Sequence, residues 1–136
     1  MEINYCFPYQ IRVRYGETDQ MGYCYYGNYA SYLEVGRVEA LRSLGSSYKS
    51  MENEGVMLPV LDLQIKYIRP AKYDDLLTIE TCITRIEGSR IFFEYRILNE
   101  KNELLIKAST TLVFVSQETM KPIAPPTSFL SLFNHE

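Results

Sequence analysis

Residues 28–45 read NYASYLEVGRVEALRSLG, and their period sets the architecture. Tyr29, Tyr32, Leu33, Gly36, Ala40, Leu41 and Leu44 recur at helical spacing, while Ser31, Glu34, Arg37, Arg42 and Ser43 fall on the other side. The pattern predicts an amphipathic helix of about sixteen residues that ends near Gly45, a plausible C-cap. Gly36 in mid-helix costs about 1 kcal/mol against alanine. Its presence implies close approach of another backbone. Ser46 and Ser47 then offer caps for a short second helix or turn over residues 46–54.

Outward from this helix everything reads as strand. Upstream, YQIRVRY (residues 9–15) alternates, with Tyr9, Ile11, Val13 and Tyr15 on one face, and predicts a half-buried strand. Gly16 to Gly27 has no clean period and reads as a structured loop. Downstream, Leu61, Leu63, Ile65 and Tyr67 alternate with Asp62, Gln64 and Lys66. Residues 76–86 (LLTIETCITRI) are apolar and β-branched, and Gly88-Ser89 forms a tight return. Ile91, Phe93, Tyr95 and Ile97 alternate, and after the polar turn 99–103 a last long strand covers 104–115. PIAPP closes the sheet, leaving a short tail around Phe129 to Phe133. One strand, one long helix and four strands with short returns give an α+β fold: a curved antiparallel sheet wrapped around one central helix. No linker or repeat interrupts residues 1–136, so one domain is expected. The open sheet edges favour a dimer.

Composition narrows the function. A net charge of −3 and a pI near 5.3 argue against a nucleic-acid binder. No stretch approaches the ~18 apolar residues of a membrane span, and the N-terminus lacks a basic, then apolar leader. The three cysteines, Cys6, Cys24 and Cys82, are widely spaced and odd in number, which argues against a zinc site or a disulfide framework and for a reducing cytoplasm. The single histidine, His135, sits next to the C-terminus, where fraying is expected. Mechanisms that need a central histidine are therefore disfavoured, and no cofactor is called for.

The chemistry concentrates in YGETDQMGYCYYGNY (residues 15–29). A carboxylate close to a helix start pairs a base or nucleophile with free N–H groups and a positive dipole end, which suits acyl transfer. An Asx-turn is the bland alternative for Asp19. Glu17 reads as a solvated loop charge or a neighbour of Asp19. Glu34, on the polar helix side, reads as a dimer contact or solvated charge, Cys24 as a buried structural thiol, and Asp74-Asp75 as a turn entering a strand.

Tyr15-Gly16-x-Thr18-Asp19-x-x-Gly22-x-x-x-Tyr26-x-Asn28-Tyr29 resembles the signature of the 4-hydroxybenzoyl-CoA-type hot-dog thioesterases, relatives of the acyl-CoA thioesterases of Tol–Pal-associated operons. Pro70-Ala71-x-Tyr73-Asp74-Asp75-x-Leu77-Thr78-Ile79-Glu80-Thr81 is a second match, and Met120-Lys121-Pro122 a third. The resemblance implies a hot-dog fold and hydrolysis of an aryl or short to medium acyl thioester, carried on CoA or acyl carrier protein, by a homodimer or tetramer. It implies Asp19 as catalytic base or nucleophile and the Tyr26 backbone N–H as oxyanion donor, with Gly22, Tyr25 and Asn28 at the substrate. The Tol–Pal branch carries histidine where this chain has Tyr26, whereas the hydroxybenzoyl branch carries tyrosine. The alternatives are a non-catalytic acyl-CoA-binding module and a hydroxyacyl thioester dehydratase. Lys66, Arg69, Arg85, Arg90, Arg96 and Lys121 are candidate cations for CoA phosphates.

Overall fold

The helical period is realised as a 3-10 turn, Tyr26–Asn28, running straight into α1, Tyr29–Ser43. The computed structural model describes residues 1–133, so the fraying expected of His135 lies outside the described residues. Gly45, at φ 89°, takes the left-handed conformation that ends the helix. The short helix α2, Tyr48–Asn53, starts at Ser47, whose hydroxyl accepts the Ser50 N–H at 3.0 Å.

Five strands make the main sheet: β1 (Glu2–Arg12), β3 (Val60–Tyr67), β4 (Leu76–Glu87), β5 (Arg90–Leu98) and β6 (Leu104–Val113), in the antiparallel order β1-β4-β5-β6-β3. The short strands β2 (Val56–Met57) and β7 (Val115–Ser116) pair separately and were not legible as strands. Beyond β7 lies a four-residue helix, α3 (Thr127–Leu130), which seats Phe129 against Phe114 with ring centres 5.5 Å apart. The tail expected around Phe129 is thus part of the core.

Period-2 burial puts Leu77, Ile79, Thr81 and Ile83 of β4, and Ile91, Phe93, Tyr95 and Ile97 of β5, on the face under α1. A register shift between Ile83 and Arg85 lets Ile86 face the same core three positions after Ile83. Gly36 faces β4, and a Cβ there would lie 2.4 Å from Thr81 Oγ1 and 2.8 Å from Ile79 Cγ2. The close approach expected of that glycine is this helix–sheet contact, made against β4 side chains rather than another backbone. The result is the curved sheet around one helix that defines the hot-dog arrangement.

Three expectations are corrected. Arg37 is not on a solvated face: it is 6% exposed, and its Nε and Nη1 donate to the hydroxyls of Tyr48 and Tyr95, each at 3.2 Å. Its stem packs like an apolar side chain while two phenols take the place of water at the guanidinium. Tyr15 does not continue β1 inward. The strand ends at Arg12, a 3-10 turn covers Tyr15–Glu17, and the Tyr15 ring is exposed beside Tyr73. Cys6 and Cys82 are joined by a disulfide, against the expectation of no such bond. They are 76 residues apart in sequence, but the β1–β4 register sets them directly opposite, with Cα atoms 4.0 Å apart. Strand pairing, invisible in the spacing, brought them together. Cys24 is free and buried.

β1 and β3 are the two edges. β1 carries Pro8, which the edge position tolerates. β3 exposes Val60, Leu61, Leu63 and Tyr67, interspersed with the charges Asp62 and Lys66, with a register shift between Val60 and Asp62.

Candidate active site

The two long motifs are one construction. After β1 the chain makes its 3-10 turn and enters a small loop in which Thr18 bridges Cys24 and Tyr23 bridges Lys72. The second motif holds this loop from behind. Cys24 N–H donates to the Ala71 carbonyl at 2.8 Å, Ala71 N–H donates to the buried Tyr29 hydroxyl at 3.3 Å, and Val13 N–H donates to the Asp75 carbonyl at 3.0 Å. Ala71 is fully buried where the two segments cross. Asp74 sits at φ 70° and Asp75 accepts the Lys72 N–H at 2.8 Å, the turn expected of that pair.

Asp19 sits at the neck of the loop. Its Oδ1 accepts the N–H groups of Met21 (3.0 Å) and Tyr23 (3.2 Å), while its own N–H donates to the Tyr23 carbonyl at 2.9 Å. That is the Asx-type turn of the bland reading, yet it uses one oxygen. Among the described residues Oδ2 receives no hydrogen bond, and the side chain remains on a cleft wall. Gly22 takes φ 81°, the left-handed conformation that closes the turn, and its N–H donates to the Asp19 carbonyl at 3.0 Å.

The cleft beside Asp19 has a volume of about 270 Å³. Met21, Tyr23 and Cys24 of the loop form one wall with Asp19, and Tyr26 and Tyr29 of the helix start form the next. The third wall is Tyr67–Pro70, the last residue of the edge strand β3 and the three that follow it. The Tyr67 ring lies 6.1 Å from that of Tyr26 and 5.8 Å from that of Tyr29, so the walls meet as an aromatic corner. As first residue of its turn, Tyr26 has an N–H with no intrahelical acceptor, at the positive end of the helix dipole. Its side chain is mostly exposed.

Of the residues expected at the site, Asp19 and Tyr26 come together on this cleft. Gly22, Tyr25 and Asn28 are beside or behind it: the Tyr25 ring lies 4.8 Å from that of Tyr26, tilted at 46°, and Asn28 Nδ2 donates to the Glu17 carbonyl at 2.7 Å. Among the candidate cations Arg69 reaches the cleft, and it pairs with Glu103 at 3.5 Å. Glu34 is exposed on α1, away from the cleft lining.

Glu17 differs from its reading as a solvated charge. Its side chain is 16% exposed, and it accepts bonds from Arg14 N–H (2.8 Å), Arg14 Nη2 (3.0 Å) and the Tyr32 hydroxyl (2.8 Å). Burial pushes its carboxyl up, but those three bonds and the Arg14 charge outweigh it and hold the group below the ordinary 4.5. Burial raises the Cys24 thiol, which suits an inert side chain, and pushes the Tyr29 phenol up to about 12. The partner of Glu17, Tyr32, is fifteen residues away, a distance at which a single sequence carries no pairing signal.

A sequence profile described as the thioesterase superfamily matches residues 21–106. The chain is similar to the putative acyl-CoA thioesterase YneP of Bacillus subtilis, 41% identical over 114 residues, covering 84% of this chain and 83% of that protein. It is similar to the acyl-CoA thioester hydrolase YbgC of Escherichia coli, 36% identical over 127 residues, covering 93% and 95%. Among solved structures, a DHNA-CoA thioesterase from Staphylococcus aureus superposes with a TM-score of 0.89 at 34% identity, covering 94% of this chain and 88% of that one. With the fold, the carboxylate-bearing loop and the helix start already in place, these likenesses establish that the chain belongs to the thioesterase superfamily.

Proposed function

We propose that this protein is an acyl-CoA thioesterase, converting acyl-CoA and water to the free acid and CoA, with Asp19 and the Tyr26 N–H as its reacting pair. The observation that carries the reading is that both line one cleft, the carboxylate with an oxygen left over from its own turn. The thioester carbonyl lies against the helix start, where the Tyr26 N–H takes up charge as the carbonyl oxygen becomes an oxyanion. Asp19 either draws a proton from the attacking water or attacks the carbonyl carbon itself, and the mixed anhydride then formed is opened by water. In both routes the C–S bond breaks and the thiolate leaves. It is a good leaving group, so no histidine is needed to protonate it. Gly22 shapes the Asp19 turn, and Tyr25 and Asn28 shape the cleft mouth. The aromatic corner of Tyr26, Tyr29 and Tyr67 suits an aryl or short to medium acyl group.

The working unit we infer is a homodimer or tetramer of this one domain, paired through β3. A cleft of about 270 Å³ is small and open for a ligand this large. One wall is the end of the edge strand β3, whose exposed Leu61, Leu63 and Tyr67 a second copy would cover. None of the described helices is long and apolar enough to cross a membrane. A cytoplasmic location is part of the proposal, and the Cys6–Cys82 bond is the observation that pulls against it.

The test is thiol release from a panel of acyl-CoA and acyl carrier protein thioesters, with Asp19→Asn beside the wild type. Loss of at least a hundredfold in kcat is expected of a base or nucleophile. Near-wild-type turnover by Asp19→Asn sinks the assignment.

A further inference from the structure

We propose that Glu17 is a positioning residue for the thioesterase reaction, holding the Asp19 loop and the start of α1 in one fixed relation. This rests on the Asp19–Tyr26 reading above. Glu17 accepts hydrogen bonds at both ends. Its carbonyl takes the Tyr25 N–H at 2.8 Å and Asn28 Nδ2 at 2.7 Å, the residues on either side of the Tyr26–Gly27 pair. Its carboxylate takes the hydroxyl of Tyr32, one turn into α1, at 2.8 Å. The same carboxylate is anchored on its own side by Arg14, through N–H at 2.8 Å and Nη2 at 3.0 Å. Two residues later comes Asp19.

The consequence is geometric. The carboxylate and the N–H donor belong to different segments, one a loop, the other a helix. Residue 17 is where the chain leading to Asp19 is tied to that helix by three separate bonds. Bonds to an ionised acceptor are the strong kind, and this one is mostly shielded from water. Glu17 does not line the cleft, so it acts on the reaction through placement alone. A displacement of about 1 Å in such a pair can cost a hundredfold in rate. Cys24 Sγ lies 3.5 Å from the Tyr32 hydroxyl, so the same contact is also packed against the cleft wall.

The experiment is steady-state kinetics of Glu17→Gln, Glu17→Asp and Tyr32→Phe on the best acyl-CoA of the panel, with Asp19→Asn and thermal melts alongside. Glu17→Gln keeps the volume but turns an amide donor toward Arg14. It is expected to lower kcat about tenfold and to leave KM within about twofold, the signature of lost transition-state geometry. Tyr32→Phe is expected to lower kcat in the same sense, and the double variant to fall no further than the worse single. Glu17→Asp, which retains the charge, recovers part of the rate. The inference is overturned if Glu17→Gln turns over within about twofold of wild type while Asp19→Asn is inactive. It is equally overturned if the lost rate follows the folded fraction alone and returns on cooling. Wild-type turnover by Asp19→Asn would instead overturn the Asp19 reading itself. Should Glu17→Gln not fold, Tyr32→Phe decides on the same kcat and KM criteria.

Discussion

Replacing Gly36 with alanine puts a methyl where α1 crosses β4. The added Cβ would lie 2.4 Å from Thr81 Oγ1 and 2.8 Å from Ile79 Cγ2, against an ordinary contact of about 3.5–4.0 Å. Neither neighbour can yield freely, because Thr81 and Ile79 are both fully buried in a central strand. The helix must therefore back away by about 1 Å, which forfeits a quarter to a half of each contact's attraction along the interface. Overpacking of this kind costs about 1–3 kcal/mol, and one contact here is so short that the upper part of that range applies. Alanine returns about 1 kcal/mol of helix propensity. The expected net loss is about 1–2 kcal/mol, read as a fall of roughly 4–8 °C in Tm for a chain of this size. Urea unfolding and a thermal melt measure it directly. Adding Thr81→Ala removes the nearest atom but not Ile79 Cγ2, so it should relieve part of the clash. Since the turn that bears Tyr26 runs straight into α1, turnover of the folded variant should drop as well. A Gly36→Ala protein as stable as wild type, or more stable, would refute the close-packed crossing.

Three further outcomes are expected. Glu17 is held below its ordinary carboxyl value, so its contribution to stability is present above pH 4.5 and is lost as pH falls through the lower folded value; chemical unfolding at stepped pH should give a steeper acid decline in wild type than in Glu17→Gln. The Cys6–Cys82 bond closes a separation of 76 residues, for which loop entropy predicts about 4 kcal/mol of stabilisation. Reductant should lower Tm in wild type and leave a Cys6→Ser/Cys82→Ser protein unaffected, while thiol counting after unfolding under oxidising conditions should find Cys24 alone. Leu63→Asp places a charge on the exposed β3 edge and should shift the protein toward monomer in analytical ultracentrifugation, with a parallel loss of activity if a second copy completes the cleft.

The legibility of this protein divides by the range of the interactions involved. The spans of α1, β4, β5 and β6 could be read because periods of 3.6 and 2 are local consequences of burying one face. The glycines at 36 and 45 could be read for the same reason: a missing side chain signals a backbone demand at that residue. Asp19 is legible as a candidate because a carboxylate near a helix start is a short-range pattern, whereas Tyr26 enters only through the family resemblance; both line one cleft. Arg37 was misread because a charge scores as polar on any helical wheel, whereas Tyr48 and Tyr95, eleven and fifty-eight residues away, make its burial tolerable. Cys6 and Cys82 were misread because spacing says nothing until β1 is registered on β4.

The sequence by itself determined the long helix and the long strands β3 to β6, the antiparallel class, and the loop that is the candidate for the chemistry, since each follows from residues within a turn or two of one another. Only the tertiary structure decided that Ala71 and Tyr29 clamp the loop, that Tyr67–Pro70 supply its third wall, and that Glu17 ties the loop to α1. Those relations join residues 15 to 50 positions apart. Their energy depends on distances that exist only after the sheet has closed around the helix.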